Sequence, residues 1–578
     1  LGCPQTHRLH THLLEKYRCG LSVAITQPAY TDGSAMPYGF AIFTRFMDCT
    51  AHYFSYAATG AFSRLVTDYL EGKATVRPFY EAPPTPEGIR QQMELRKAYP
   101  TNRELLVRVL EQQYRSVPQH DAVQQNIGRL LHANCFTVTT AHQPNLFTGP
   151  LYFIYKILHT IRLAEWLGRQ FPEAEFVPVF YIGTEDADFD ELSYCNVNNT
   201  RLQWNTDQSG AFGRMILDAN SEALLQQLEG MLGVEPHGPA LLHLLRTSYA
   251  AGTSVQQATF AFVHALFAKW GLVVLLPEHA DLKRMMVPVF RDELLHQRSH
   301  QLVSETVAQL GRQYKIQAGS RPINIFYLDE DLRERIERQG DEYNVVNSDI
   351  RFSETALLEE LEQHPERFSP NVILRGLYQE LLLPNLAFVG GGGELAYWLE
   401  LKNVFQHYGV PYPVLVLRNS YLLLPQVDAQ RFEKWGYDLA AIFRPADQLL
   451  HDFVQRHSKN RLHLGPEREA IKAQYASLEK VAGAIDVTLQ PHVRALYAQA
   501  EKRLHELEKK MVRAEKRKHA DVQRRLQTFK AQYFPGNGLQ ERSESMLGYY
   551  AKWGSAFLDQ LYRHALTLEQ QFTVLLYS

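Results

Sequence analysis

Residues 141–150 read Ala-His-Gln-Pro-Asn-Leu-Phe-Thr-Gly-Pro. His142, Gln143, Asn145 and Thr148 can each make directed hydrogen bonds, Gly149 frees the backbone, and Pro150 suits the first turn of a helix. Set between a strand and a helix, this stretch suits a phosphate or carboxylate, because a helix start carries free N–H groups and the positive end of the dipole. The alternative is a polar turn whose Asn and Thr cap the helix. Residues 183–191 put Glu185, Asp186, Asp188, Asp190 and Glu191 within seven positions. Mutual repulsion raises carboxylate pKa values, which suits a general base, an amine site or a metal site. A solvated acidic loop is the plain alternative. In residues 389–398, four consecutive glycines precede Glu394 and Tyr397. Gly391 and Gly392 would let backbone approach a ligand closely, or simply form a turn. Arg375, four residues after Asn371, and Arg418, followed by Asn419, offer forks for carboxylate or phosphate, with surface ion pairs as the alternative.

The elements that must position these groups follow from periodicity. Residues 60–70, 88–98, 102–116 and 122–132 space their apolar side chains by three and four, which predicts successive helices in an all-helical lead-in over 47–134. Residues 136–140 and 176–182 have the composition of buried strands. A helix over 151–169 joins them, and strand–helix–strand implies a parallel sheet. Loops 141–150 and 183–191 then leave the same sheet edge, where open α/β sheets bind ligands. Residues 271–276, 386–389 and 414–417 predict further strands of one core spanning 135–425. Insertions near 198–260 and 310–365 hang from it as appendages. Residues 467–482 and 492–530 predict a helical hairpin separated by Pro491. The second helix carries a stripe through Leu496, Leu504, Leu507 and Met511 that weakens near 517–521 before resuming at Val522, Leu526 and Phe529. Its basic run 516–518 reads foremost as a solvated face. Residues 543–575 predict further helices packing back, completing a helical region over 426–578.

The chain has 578 residues, 45% of them hydrophobic and 21% charged, with a formal net charge of -3. That composition builds a large core and gives no global drive toward nucleic acid or an anionic membrane. Five cysteines without a CxxC pair fit a reducing compartment, here the cytoplasm. No apolar run approaches the roughly 18–20 residues that span a bilayer. A P-loop, HExxH, GxSxG and a GxGxxG after a strand are all missing, which argues against the common NTPases, zincins, α/β-hydrolases and NAD enzymes. Residues 1–46 lack periodicity, Met36 and Met47 are both possible starts, and the functional protein is expected to begin near Met47 after an N-terminal extension.

With these motifs in place, the chain resembles the BshC family of bacillithiol biosynthesis. The matching stretches are HQPNLFTGPLYFIYK (142–156), GTEDADFDE (183–191), FSPNVILR (368–375), PNLAFVGGGGELAYWLELK (384–402), RNS (418–420) and LQER (539–542). They keep the family's order and spacing from about Met47 to the end. Ala141, His142 and Asn145 depart from the usual glycine-bearing opening of the first motif, and Gly392 stands where many relatives carry proline. The resemblance implies an α/β fold with a Rossmann-like core, similar to nucleotidylyltransferases and class I aminoacyl-tRNA synthetases, and a coiled coil that pairs two copies into a homodimer. It implies a ligase that joins the carboxyl of cysteine to the amine of glucosaminyl-malate, the last step toward a low-molecular-weight thiol. In that reaction Asp186 or Asp188 would bind and deprotonate the amine. His142, Asn145 and Thr148 would hold the activated carboxyl or a phosphate, and Arg375 or Arg418 would grip the malate carboxylates. Gln143, Gly149, Glu185, Asn371, Gly391, Gly392, Glu394, Tyr397 and Asn419 complete the expected binding set. ATP or another nucleotide is the activating donor by fold analogy, although neither the HIGH nor the KMSKS signature is present, and no metal is assigned. The rival readings are another nucleotidylyl or acyl transferase on the same core, and a non-catalytic nucleic-acid-binding protein.

Overall fold

FTVTT (136–140) is a short β-branched run and FVPVFYI (176–182) is apolar almost throughout, the composition of buried strands. In the computed structural model, which describes residues 47–578, they form β1 (Cys135–His142) and β2 (Glu175–Ile182), each buried over all but one residue. The helix α1 (Tyr152–Gln170) crosses between them. The strands β3 (Val273–Leu275), β4 (Asn385–Gly390) and β5 (Val414–Leu417) complete a sheet ordered β5-β4-β1-β2-β3, parallel throughout. The core is therefore a Rossmann-like parallel sheet. From β1 the chain builds outward through β2 and β3, then returns to build the other way through β4 and β5. The order reverses between β1 and β4, and such a switch opens a crevice at the carboxyl ends of the strands. The helices α2 (Val372–Leu382) and α3 (Gly392–Trp398) flank β4 on either side.

The lead-in supplies the helices Arg64–Leu70, Pro86–Ala98, Arg103–Gln113 and Asp121–Arg129, close to the expected positions. Ile89 and Met93 of the second pack on one sheet face with Phe136, Val138, Leu163 and Val389. In the same helix, the fully buried Arg96 pairs with Glu380 at 2.7 Å and donates to the Asn385 carbonyl at 3.1 Å.

The lead-in is not all helical. Cys49–Ser55 is a strand antiparallel to Gln571–Tyr577, which lies parallel to Tyr421–Pro425. The closing segment, expected as helix, thus ends in a strand as well. Both depend on partners hundreds of residues away, which local periodicity cannot register. The expectations for residues 1–46 lie outside the described residues.

The first insertion contains the hairpin Tyr194–Val197/Thr200–Gln203 and the helices Ala219–Leu232 and Gly238–Ser248. The second contributes a sheet running Arg351–Ser353, Glu342–Val345, Leu332–Gln339, Ile325–Asp329, Phe368–Pro370 in spatial order. Beyond the core, α4 (Gly465–Ile485) and α5 (Leu489–Lys518) pack as a hairpin, and α6 (Ala520–Tyr533) follows a break at His519. Pro491 lies in the first turn of α5 rather than between the helices, where its missing N–H costs nothing. The break falls inside the 517–521 interruption of the apolar stripe. No residue of α4 is buried, and Glu515 alone is buried in α5.

Candidate active site

At the switch point the carboxyl ends of β1, β2 and β4 and the start of α2 enclose a cleft of about 330 Å³. Adjacent pairing of β1 and β2 brings the two chemistry-bearing loops together, with Gly183 N–H donating to the His142 carbonyl at 2.7 Å. Gln143 Nε2 donates to Asp186 Oδ2 at 3.0 Å, and the Asp188 N–H to Asp186 Oδ1 at 3.3 Å. Asp186 lines the cleft and makes no ion pair among the described residues. Two neutral donors therefore aim its carboxylate, and the Arg333 guanidinium acts on it from beyond ion-pair distance.

The rest of the acidic loop is committed differently. Glu185 pairs with the fully buried Lys283 at 2.5 Å. Asp188 caps the turn Phe189–Leu192, accepting from the Glu191 N–H at 3.1 Å, and does not line the cleft. Partial burial, then Asp188 and Asp186, push the Glu191 carboxyl above its ordinary value. The first insertion braces the loop from behind, as Phe212 N–H donates to the Asp186 carbonyl at 2.7 Å. Gly213 is required there, because a Cβ would sit 2.4 Å from the Thr184 carbonyl oxygen.

The opposite wall is cationic. Arg375 on α2 lines the cleft, donates to Tyr397 Oη at 3.1 Å, and has no ion pair among the described residues. Asn371, also on the cleft, caps α2 through Ile373 N–H at 2.9 Å. Arg418 is nearly buried and pairs with Glu541 at 2.8 Å, leaving its Nε without a partner among the described residues. Glu394 accepts from Gly391 N–H at 2.8 Å and pairs with the buried Lys156. Lys156 also donates to the Ala141 carbonyl at 3.0 Å, so it bridges the ends of β1 and β4 across the crevice.

His142 sits at the end of β1 with its ring 5.2 Å from Tyr152 and 5.4 Å from Phe153, centroid to centroid. Burial, reinforced by Lys156, holds its pKa well below the ordinary histidine value. It is therefore a neutral imidazole at the edge of the cleft, with Nε2 buried and without a protein partner among the described residues.

Six expected residues do not line the cleft. Asn145, Thr148 and Gly149 form a buried turn in which Thr148 has φ +70° and Gly149 φ +58°. A Cβ on Gly149 would meet the Asn145 side chain at 2.8 Å. The α1 start is closed by the chain itself, since Leu151 N–H donates to the Glu544 carbonyl at 2.7 Å. That is the physical reason this turn does not present N–H groups to a ligand. Asp188 is spent as a cap, Gly392 faces Phe62, and the buried Asn419 donates to the Leu566 carbonyl.

Sequence reasoning passed over Lys156, Tyr152, Arg333 and Arg542, which line the cleft, and Lys283 behind it. Lys156 and Arg542 close two of the quoted motifs, so a signal for them existed. Arg333 comes from the insertion sheet, and nothing in its neighbourhood in sequence marks it. Among the described residues no three His, Cys, Asp or Glu side chains converge as a metal site requires. Burial pushes the thiols of Cys49, Cys135 and Cys195 up to about 12, so none is a poised nucleophile.

Residues 47–419 match the family model for the bacillithiol biosynthesis BshC N-terminal Rossmann-like domain, and residues 421–577 that for the BshC C-terminal coiled-coil domain. A Flavobacterium johnsoniae protein named "Putative cysteine ligase BshC" is 37% identical over 524 residues, covering 90% of this chain and 98% of its own length. Proteins of the same name from Salinibacter ruber and Chlorobaculum tepidum are 30% and 29% identical, covering 89% and 79% of this chain and 96% and 86% of theirs.

Proposed function

The chain belongs to the BshC family of bacillithiol biosynthesis, and from that premise we propose that it is the cysteine ligase that joins the carboxyl of L-cysteine to the amine of glucosaminyl-malate. The observation that carries this reading is the polarity of the cleft. Asp186, a carboxylate in no direct ion pair among the described residues, lines it from the acidic loop, and Arg375, a guanidinium in no direct ion pair among them, lines it from α2. A substrate bearing an amine at one end and carboxylates at the other fits that polarity.

In the reaction, Asp186 binds the ammonium and takes its proton, which frees the nitrogen lone pair. The nitrogen attacks the cysteine carbonyl carbon, the C–N bond forms, the bond from that carbon to the leaving oxygen breaks, and the second nitrogen proton leaves with that oxygen or to water. The neutral His142 and the Lys156 ammonium face the same cleft and stabilise the carbonyl oxygen as negative charge develops on it. Arg375 holds the malate carboxylates, supported by Arg542, while the charge of Arg333 acts on Asp186 and Glu185.

A nucleotide, ATP or another, is our proposed source of activation. The starts of α1 and α3 are already capped by Glu544 and Glu394, so a phosphate in the cleft meets side-chain cations rather than helix ends. Arg375, in no ion pair among the described residues, fits that role, and the donor would supply the leaving group on the cysteine carboxyl. We place the protein in the cytoplasm as a homodimer paired through α4 and α5. Among the described residues no helix is long and apolar enough to cross a membrane.

The purified protein, given cysteine, glucosaminyl-malate and a nucleotide, is expected to yield the amide-linked thiol by mass spectrometry. Absence of product with every nucleoside triphosphate would overturn the ligase reading. Full turnover without any nucleotide would remove the activation step alone.

A further inference from the structure

Lys283 lies on the short helix Ala280–Arg284 behind the cleft, and its side chain is wholly shielded from solvent. An ammonium is seldom buried whole, and it persists there only with partners that offset lost hydration. Its partners come from both walls. Nζ pairs with Glu185 in the acidic loop at 2.5 Å. It also donates at 2.9 Å to the carbonyl of Phe368, in the strand Phe368–Pro370 that leads directly into α2. The same Nζ stands 5.4 Å from the ring centroid of Tyr378, one turn along α2 from Arg375. Tyr378 in turn donates to the Pro277 carbonyl at 2.6 Å, just beyond β3. Burial pulls the Lys283 pKa below the ordinary lysine value, and the Glu185 carboxylate opposes that pull.

We infer that Lys283 is a positioning residue that fixes the separation of the two walls, by holding Glu185 beside Asp186 and the Phe368 carbonyl ahead of the Arg375 helix. The inference rests on the proposed assignment of the walls. Two consequences follow. Glu185, neutralised by Lys283, leaves Asp186 as the carboxylate that receives the amine. A ligand that spans both walls feels their spacing, whereas a ligand held by one wall does not.

Calorimetry separates these cases. Wild-type protein, Lys283→Met and Lys283→Gln are titrated with glucosaminyl-malate, which spans the walls, and with malate, which reaches the cationic wall alone. Circular dichroism melts confirm folding. Lys283→Met is expected to weaken glucosaminyl-malate at least about tenfold, since misplacing groups by about 1 Å costs that much or more, while malate changes by less than about twofold. Lys283→Gln keeps an N–H donor for Phe368 and decides the matter if the methionine variant does not fold; it is expected to show the same selective loss in smaller measure. Equal losses for both ligands, or no loss in a folded variant, would overturn the inference. Wild-type protein that binds malate but not glucosaminyl-malate would overturn the functional reading itself, and the role of Lys283 with it.

Discussion

Two carboxylates of the acidic loop, two residues apart, have opposite fates, and the difference can be measured. Asp186 faces the cleft on two neutral hydrogen bonds, whereas Asp188 turns away to cap Phe189–Leu192. Asp186→Asn is expected to lower kcat by about 100-fold, the usual scale for losing a general base, with the fold intact. Asp188→Ala should instead cost about 1 kcal/mol of stability, the value of a helix cap, with kcat within about threefold of wild type. Steady-state kinetics beside urea titrations check both, and the reverse ranking would exchange the two roles. His159 gives a pH signature of a different kind. Its Nδ1 accepts from Asn419 N–H at 3.0 Å, Nε2 donates to the Thr567 carbonyl at 2.8 Å, and burial pushes its pKa down to about 4. Between that value and the ordinary 6.5 or so, the unfolded chain binds a proton that the folded protein refuses. The stabilisation is therefore complete above about pH 6.5 and is lost as pH falls toward 4, up to about 3 kcal/mol. Unfolding at pH 7.5 and pH 5 should show a smaller acid loss for His159→Gln than for wild type.

At the scale of elements, the sheet was readable because its strands are buried on both faces. FVPVFYI carries no alternation that a surface strand would need, FTVTT is short and β-branched, and the loops that follow two neighbouring parallel strands share an edge. His142, Gln143, Asp186, Arg375, Glu394 and Tyr397 all line the cleft for that reason. What was not readable depends on long-range contact. The strand Cys49–Ser55 has its partner at the far end of the chain, and Arg333 enters from an insertion whose docking no local pattern records. Asn145 and Thr148 have the right chemistry for a ligand, but the turn buries them and the Glu544 carbonyl takes the N–H they were expected to present alongside. Arg96 shows how an element outside the sheet is fixed to it. Both members of the Arg96–Glu380 pair are fully buried. Arg96→Met would leave Glu380 uncompensated, and the expected loss is about 3–5 kcal/mol by chemical denaturation. A loss below about 1 kcal/mol would mean that Gln379 and Asn385, which also donate to Glu380, suffice without it.

At the scale of the whole molecule, the α4–α5 hairpin leaves apolar side chains uncovered, with Val481 60% and Ile485 80% exposed and Leu496 and Leu507 at 40% and 46%. A second copy of the same hairpin is the occupant proposed above, and Leu496→Glu with Leu507→Glu tests it. Light scattering should shift from dimer to monomer with the circular dichroism spectrum unchanged, and a wild-type monomer would end the proposal. The small sheet that joins Cys49–Ser55 to Gln571–Tyr577 has a consequence for how the protein is made. During synthesis the early strand emerges more than five hundred residues before its neighbour, and its ladder stays open while those residues are made at roughly 5–20 residues per second. For about half a minute to two minutes a nascent chain therefore carries an unpaired strand that other nascent chains on the same messenger could capture. Closure waits until Gln571–Tyr577 has itself emerged from the ribosome exit tunnel.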